Sequence, residues 1–220
     1  MNKTTESIKK PNLFKRFIIS DLWCLSLLLA ALIWNLYLIY QNDPFLRALT
    51  TALRNYNMDK YVYSLIWGFL MGAAVFCNVE KLNHHLGFVG TRFAKVAKAF
   101  LYVSLFFLFT NCAILEHDID LVHSFSSMLF AFIAMASLVM SLIYASVRSI
   151  KYVIVTLILL VLFYLSALFL LELSPKGIWE TFPITAAFIT LFLVNFTDTF
   201  KLKKAGAQKS GKLFHKANRV

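Results

Sequence analysis

Six stretches of roughly 20 apolar residues alternate along the chain with short polar segments, at about 18–40, 60–79, 97–115, 121–146, 151–173 and 178–200. A helix of that length crosses the hydrocarbon core of a bilayer, so the pattern predicts an all-α, polytopic bundle of six transmembrane helices. A basic N-terminal segment (1–17) precedes the spans and a basic tail (201–220) follows them. The fifth stretch, YVIVTLILLVLFYLSALFLLEL, is the most continuous, whereas Lys95 and Lys98 blur the start of the third. QNDP follows the first stretch where a secretory signal would carry a small-residue cleavage site, so that stretch reads as a retained span.

Two connecting segments have helical periodicity of their own. In DPFLRALTTALRNYNM, Asp43 caps and Pro44 opens a short helix, with Phe45, Leu46, Leu49, Leu53 and Tyr56 on one face. Arg47, Thr50, Thr51 and Arg54 occupy the other face, and such a segment is expected to lie on the outer leaflet. GFVGTRFAKVAKAF is expected to run along the inner surface and then turn into the third span, with Gly87 and Gly90 permitting the bend before it.

Composition agrees with this reading, since 60% of residues are hydrophobic, 15% are charged and the mean hydropathy is +0.70. The formal charge of +11 would suggest nucleic acid in a water-soluble chain. Here its placement matters more, because 18 of the 22 Lys and Arg residues fall in the N-terminal segment, the second and fourth connections and the tail. The positive-inside rule then puts both termini in the cytoplasm of a multi-pass cell-membrane protein. Membrane lipids are the expected partners, with another membrane protein as a second possibility and no nucleic acid. Asp43, Asp59, Glu116, Asp118, Asp120, Glu172 and Glu180 fall on the outer side. Cys24, Cys77 and Cys112 lie in or beside apolar runs without CxxC spacing, which indicates neither a disulfide framework nor a zinc site.

Helices in lipid associate through small residues and polar ties. Gly68 and Gly72 form a GxxxG step in the second span, and Ser137, Ser141 and Ala145 recur every fourth residue in the fourth, below Ala131 and Ala134. Both helices are therefore expected near the bundle centre. Asn35 and Asn195 are expected to hydrogen-bond between helices, while Asp21 and Asp198 are expected to pair with nearby Arg16 and Lys201. No chain of buried carboxylates and no pair of broken half-helices favours an ion-coupled transporter, which ranks third among the functional readings.

Chemistry-bearing groups crowd together only in NCAILEHDIDLVHSFSS, from Asn111 to Ser127. A helix beginning near Glu116 would align Glu116, Asp120 and His123 on one face, with Ser127 one turn on, so that Asp120 orients the imidazole and raises its basicity. His117, His123 and the carboxylates of Glu116, Asp118 and Asp120 have the ligand types of a zinc site. One short segment would then have to supply the whole coordination shell, so no metal and no cofactor is expected. Ser124, Ser126 or Ser127 beside His123 could form a nucleophilic pair, yet no glycine-rich turn is at hand to build an oxyanion hole. A solvated loop capping a helix, with His123 hydrogen-bonded to a neighbouring span, outweighs both chemical readings. Under the chemical alternative, His123, Asp120 and Glu116 are the catalytic candidates, and His117, Asp118, Ser124 and Ser127 the ligand-binding ones.

A loop closing the third span, then a fourth span that opens on His123 and continues with Ser126, Ser127, Phe130 and Tyr144, with Asn111 before it, resembles the six-span Frag1/DRAM-like and DUF998-type membrane families. The resemblance covers the middle of the chain and implies a six-helix bundle with both ends inside. For much of those families it implies no established catalytic activity. Motifs of rhomboid, CAAX-type and phosphatidic-acid-phosphatase membrane enzymes are absent. The sequence therefore favours a non-catalytic integral membrane protein that contacts lipids or serves as an accessory to a partner. An intramembrane lipid hydrolase built on the outer His/carboxylate cluster is the alternative.

Overall fold

Backbone amides within a long apolar run find partners only in one another, so each run closes on itself as a helix. The computed structural model describes residues 13–41, 60–88, 91–113, 120–147, 149–172 and 177–200. Among these residues all regular structure is helical. The elements are α1 (Leu13–Ile18), α2 (Asp21–Gln41), α3 (Lys60–Leu86), α4 (Arg92–Ala113), α5 (Asp120–Ser146), α6 (Ile150–Glu172) and α7 (Gly177–Phe196), closed by a 3-10 turn, Asp198–Phe200. Four of the helices are long and apolar enough to cross a membrane, over Leu65–Leu86, Arg92–Ala113, Met128–Ser146 and Ile150–Leu168. Asp21–Tyr37 of α2 and Phe182–Phe196 of α7 are shorter apolar segments. The amphipathic connector expected at 43–58 lies outside the described residues, as do Gly90 and the tail.

Consecutive helices from α2 to α7 pack as neighbours, and α7 returns to α2, which closes the ring. Helix α3 is the hub, touching α2, α4, α5 and α7. Of its segment Leu65–Leu86, 61% is buried, against 22% of Ile150–Leu168 in the peripheral α6. Ile154, Leu157, Ile158, Val161 and Tyr164 of α6 face outward, the pattern of a helix with lipid on one side.

Three expectations about the chain need correction. The helix of the second span does not stop near residue 79, because Glu80, Lys81 and Asn83 continue it and are buried inside the bundle. Helix α3 stops only at Gly87, whose φ of +65° supplies the left-handed residue of a Schellman cap. Its amide donates to the His84 carbonyl at 3.2 Å, and the Phe88 amide donates to the Asn83 carbonyl at 2.8 Å. The stretch 92–100 is no surface helix that later turns inward. It forms the opening turns of α4, capped by Thr91 Oγ1, which accepts from the Ala94 amide at 3.0 Å, and it buries Ala94 and Ala97 against the bundle. Lastly, the chain breaks at Ile19–Ser20, so α1 is a separate short helix before the first apolar helix proper.

Small residues do place helices, though not as a single pair. A β-carbon added at Gly68 would collide with Cys112 Sγ of α4, and one at Gly72 would come within 3.1 Å of Leu108 Cδ2. The serine row of α5 meets the same helix, where Ser137 Oγ donates to the Ala97 carbonyl at 2.8 Å. The glycine step of α3 and the serines of α5 thus both pack on α4.

Candidate functional site

Ala74, Asn78 and Lys81 recur at i, i+4 and i+7, which sets them on one face of α3. That face looks onto α2 and α7. Asn78 Nδ2 donates to the Ala74 carbonyl of its own helix at 2.9 Å and to the Cys24 carbonyl of α2 at 3.1 Å. From α7, Asn195 Nδ2 donates to the Asn78 carbonyl at 2.9 Å. One turn along, Lys81 Nζ lies 2.5 Å from Asp21 Oδ1 and 3.8 Å from the centre of the Phe196 ring. Three helices therefore meet at a polar seam in which one asparagine bridges both neighbours and a lysine is held by a carboxylate and an aromatic face.

The ion pair is lopsided. The Lys81 side chain is 0% exposed, whereas that of Asp21 is 84% exposed. The ammonium is buried and its counter-charge stands at the rim, where Asp21 opens the first turn of α2 and also complements the helix dipole. This corrects the expectation that Asp21 pairs with Arg16, since the nearer cation in space comes from α3. Asp198 is exposed in the closing 3-10 turn, and Lys201 lies outside the described residues.

A second charge pair leaves α3 on another face, with Glu80 Oε1 3.0 Å from Lys98 Nζ of α4. The ammonium of Lys98 also sits 5.6 Å from the Tyr102 ring centre. At the same end of the bundle Tyr152 Oη donates to the Phe200 carbonyl at 2.7 Å and Lys151 Nζ to the Thr199 carbonyl at 3.3 Å, which fastens α6 to the end of α7. The Phe88 ring stacks on Tyr144 of α5 at 4.5 Å. Toward the other end, Trp67 Nε1 of α3 donates to Asn35 Oδ1 of α2 at 3.2 Å. Asn35 and Asn195 both join helices, as expected. Asn83 Oδ1 and Asn195 Oδ1 are buried acceptors with no donor among the described residues.

Chemically, the seam can hold helices in register and keep one cation in an apolar interior. Among the described residues no three His, Cys, Asp or Glu side chains gather as metal ligands would. Replacing Asn195 with Leu is expected to cost about 1 kcal/mol, the scale of one interhelical hydrogen bond in a membrane protein, read as a lower melting temperature in detergent. A melting temperature equal to that of wild type would show that the bond contributes nothing.

The polar segment between the third and fourth apolar runs is described only in part. Glu116, His117 and Asp118 lie outside the described residues. Asp120, His123, Ser124 and Ser127 fall in the opening turns of α5, whose start at Asp120 sets Asp120 and His123 one turn apart. Helix α5 brings Tyr144 to Phe88 at its far end, so Asp120 opens it at the end of the bundle remote from Lys81. Ser126 and Phe130 of the same helix are buried.

Lys81 and Asn78 escaped the sequence reading because lysines were sorted by the side of the bilayer they flank. The spacing Met71, Ala74, Asn78 and Lys81 on the buried face of α3 was the pattern that could have found them. No family model matches the chain, and no curated protein or solved structure matches it significantly.

Proposed function

We propose that the chain is a non-catalytic integral membrane protein that crosses the bilayer six times, keeps both ends in the cytoplasm and acts through contact with lipids or as an accessory to a membrane partner. One observation supports this reading above others. The two buried charges among the described residues, Glu80 and Lys81, are each engaged by a side chain of another helix, while large apolar side chains cover the outside of the bundle. Charges placed this way stabilise a packed bundle and leave its outer surface to lipid.

Six crossings are supported by length. Helices α2 and α7 have 21 and 20 residues, and a rise of about 1.5 Å per residue gives each roughly 30 Å, the thickness of the hydrocarbon core. Reporter fusions test the topology. A cytoplasmic reporter is expected to be active when joined after Val220 and inactive when joined near Lys176, and the opposite pattern would reject the orientation.

The functional reading is tested by lipid analysis of cells carrying His123→Ala. Unchanged lipid turnover, with unchanged protein abundance, is the expected result. Turnover lost at normal abundance would replace this reading with that of an intramembrane hydrolase using the Asp120/His123 turn of α5.

A further inference from the structure

Helix α1 buries none of its residues, although four of its six are large and apolar. Leu13 is 84%, Phe14 72% and Phe17 55% exposed, and Lys15 and Arg16 lie among them. A helix of under two turns is not stable alone in water, and none of the described residues buries this apolar face. Its position names the medium. Helix α2 alone fills the roughly 30 Å of hydrocarbon, so the helix preceding it falls at head-group depth. The elbow between them is built: Ser20 Oγ accepts from the Trp23 amide at 3.4 Å, Cys24 Sγ donates to the Ile18 carbonyl at 3.1 Å, and the Phe17 and Trp23 rings lie 5.0 Å apart.

Charge identifies the lipid. The same end of the bundle carries the start of α4, where Arg92 and Lys95 are exposed on either side of Phe93. Of the acids at this end, Asp21 and Glu80 are matched with Lys81 and Lys98, and Asp198 stands in the 3-10 turn after α7. Lys15, Arg16, Arg92 and Lys95 have no carboxylate within salt-bridge reach among the described residues, which leaves four cations beside exposed Leu and Phe side chains. Aromatic and aliphatic groups at the acyl boundary, with cations at phosphate level, are what an anionic lipid surface binds.

We propose that α1 binds anionic phospholipid head groups, with Phe14 and Phe17 as its anchor and the opening turn of α4, at the same end of the bundle, as a second cationic patch. This rests on the reading of the chain as a lipid-contacting membrane protein and adds the class of lipid and the residues that select it. The test uses the full chain reconstituted in bilayers of phosphatidylcholine with a minor share of phosphatidylglycerol. Spin-labelled forms of each lipid report which is held at the protein.

Wild type is expected to favour phosphatidylglycerol about fivefold, falling toward parity in high salt as the charges are screened. Lys15→Gln/Arg16→Gln/Arg92→Gln/Lys95→Gln, with the basic tail intact, is expected to lose most of that preference. Should this variant fold poorly, Lys15→Gln/Arg16→Gln alone alters one half-buried and one exposed side chain of α1 and is expected to lose about half. Preference retained in either variant assigns selectivity elsewhere and overturns the proposal. A wild type that immobilises both lipids equally also overturns it, yet leaves the non-catalytic reading standing, since that reading fails only on loss of lipid turnover in His123→Ala.

Discussion

Asp21→Ala is expected to lower the melting temperature in detergent more than Lys81→Met, although both remove the same ion pair. The two partners differ in where they stand, with the lysine buried and the carboxylate open at the rim. Removing Asp21 strands an ammonium in an apolar interior over the Phe196 ring. A fully buried pair broken this way costs about 3–5 kcal/mol. Because water already reaches Asp21 and can partly replace it, about 2 kcal/mol is the better expectation, or roughly 4–8 °C for a chain of this size. Lys81→Met leaves behind only an exposed carboxylate and keeps most of the side-chain volume, so its cost should stay below about 1 kcal/mol. The double variant Asp21→Ala/Lys81→Met should recover most of the loss. If Lys81→Met proved the more damaging change, or if the two losses simply added, the buried ammonium would not be the source of the strain.

Gly68→Ala is expected to be the other large effect. The added methyl group would meet Cys112 Sγ on a neighbouring helix, below any distance that packed atoms adopt. A buried sulfur on a helix backbone has little room to retreat, so α3 and α4 must separate, at a cost of about 1–3 kcal/mol. Gly72→Ala meets the methyl ends of Leu108 and Leu105 at 3.1 and 3.3 Å, which can rotate aside, and should cost less. Cys112→Ala shortens the obstacle, so Gly68→Ala should be nearly neutral in that background. Thermal unfolding of the four variants decides the matter, and a Gly68→Ala protein as stable as wild type would show that the glycine step is no contact point.

Much of the architecture could be read from residue order alone, for a physical reason. Helices in lipid must satisfy their own backbone, so long apolar runs at 97–115, 121–146 and 151–173 translate almost directly into α4, α5 and α6. Polar side chains inside such runs need partners, which is why Asn35 and Asn195 were recognisable as interhelical donors or acceptors. Periodicity identifies a face but never its neighbour. The glycines of α3 and the serines of α5 were visible as packing surfaces, while their shared partner α4 was not. The sign of a charge says that Lys81 flanks a span but not that its side chain is buried, which a carboxylate 60 residues earlier in the chain allows. Helix α5 is described from Asp120 onward, and Glu116, His117 and Asp118, the candidates expected beside Asp120 and His123, lie outside the described residues.

The bond from Asn195 to Asn78 joins positions 117 residues apart. It cannot form until α7 has left the ribosome. Until then the nascent bundle holds Asn78 and the Lys81 ammonium with one wall missing, since Phe196 is also still to come. Assembly of the described helices therefore includes a docking step in which α7 closes the interior, and a chain truncated before α7 would present an open polar face to the quality-control machinery of the membrane.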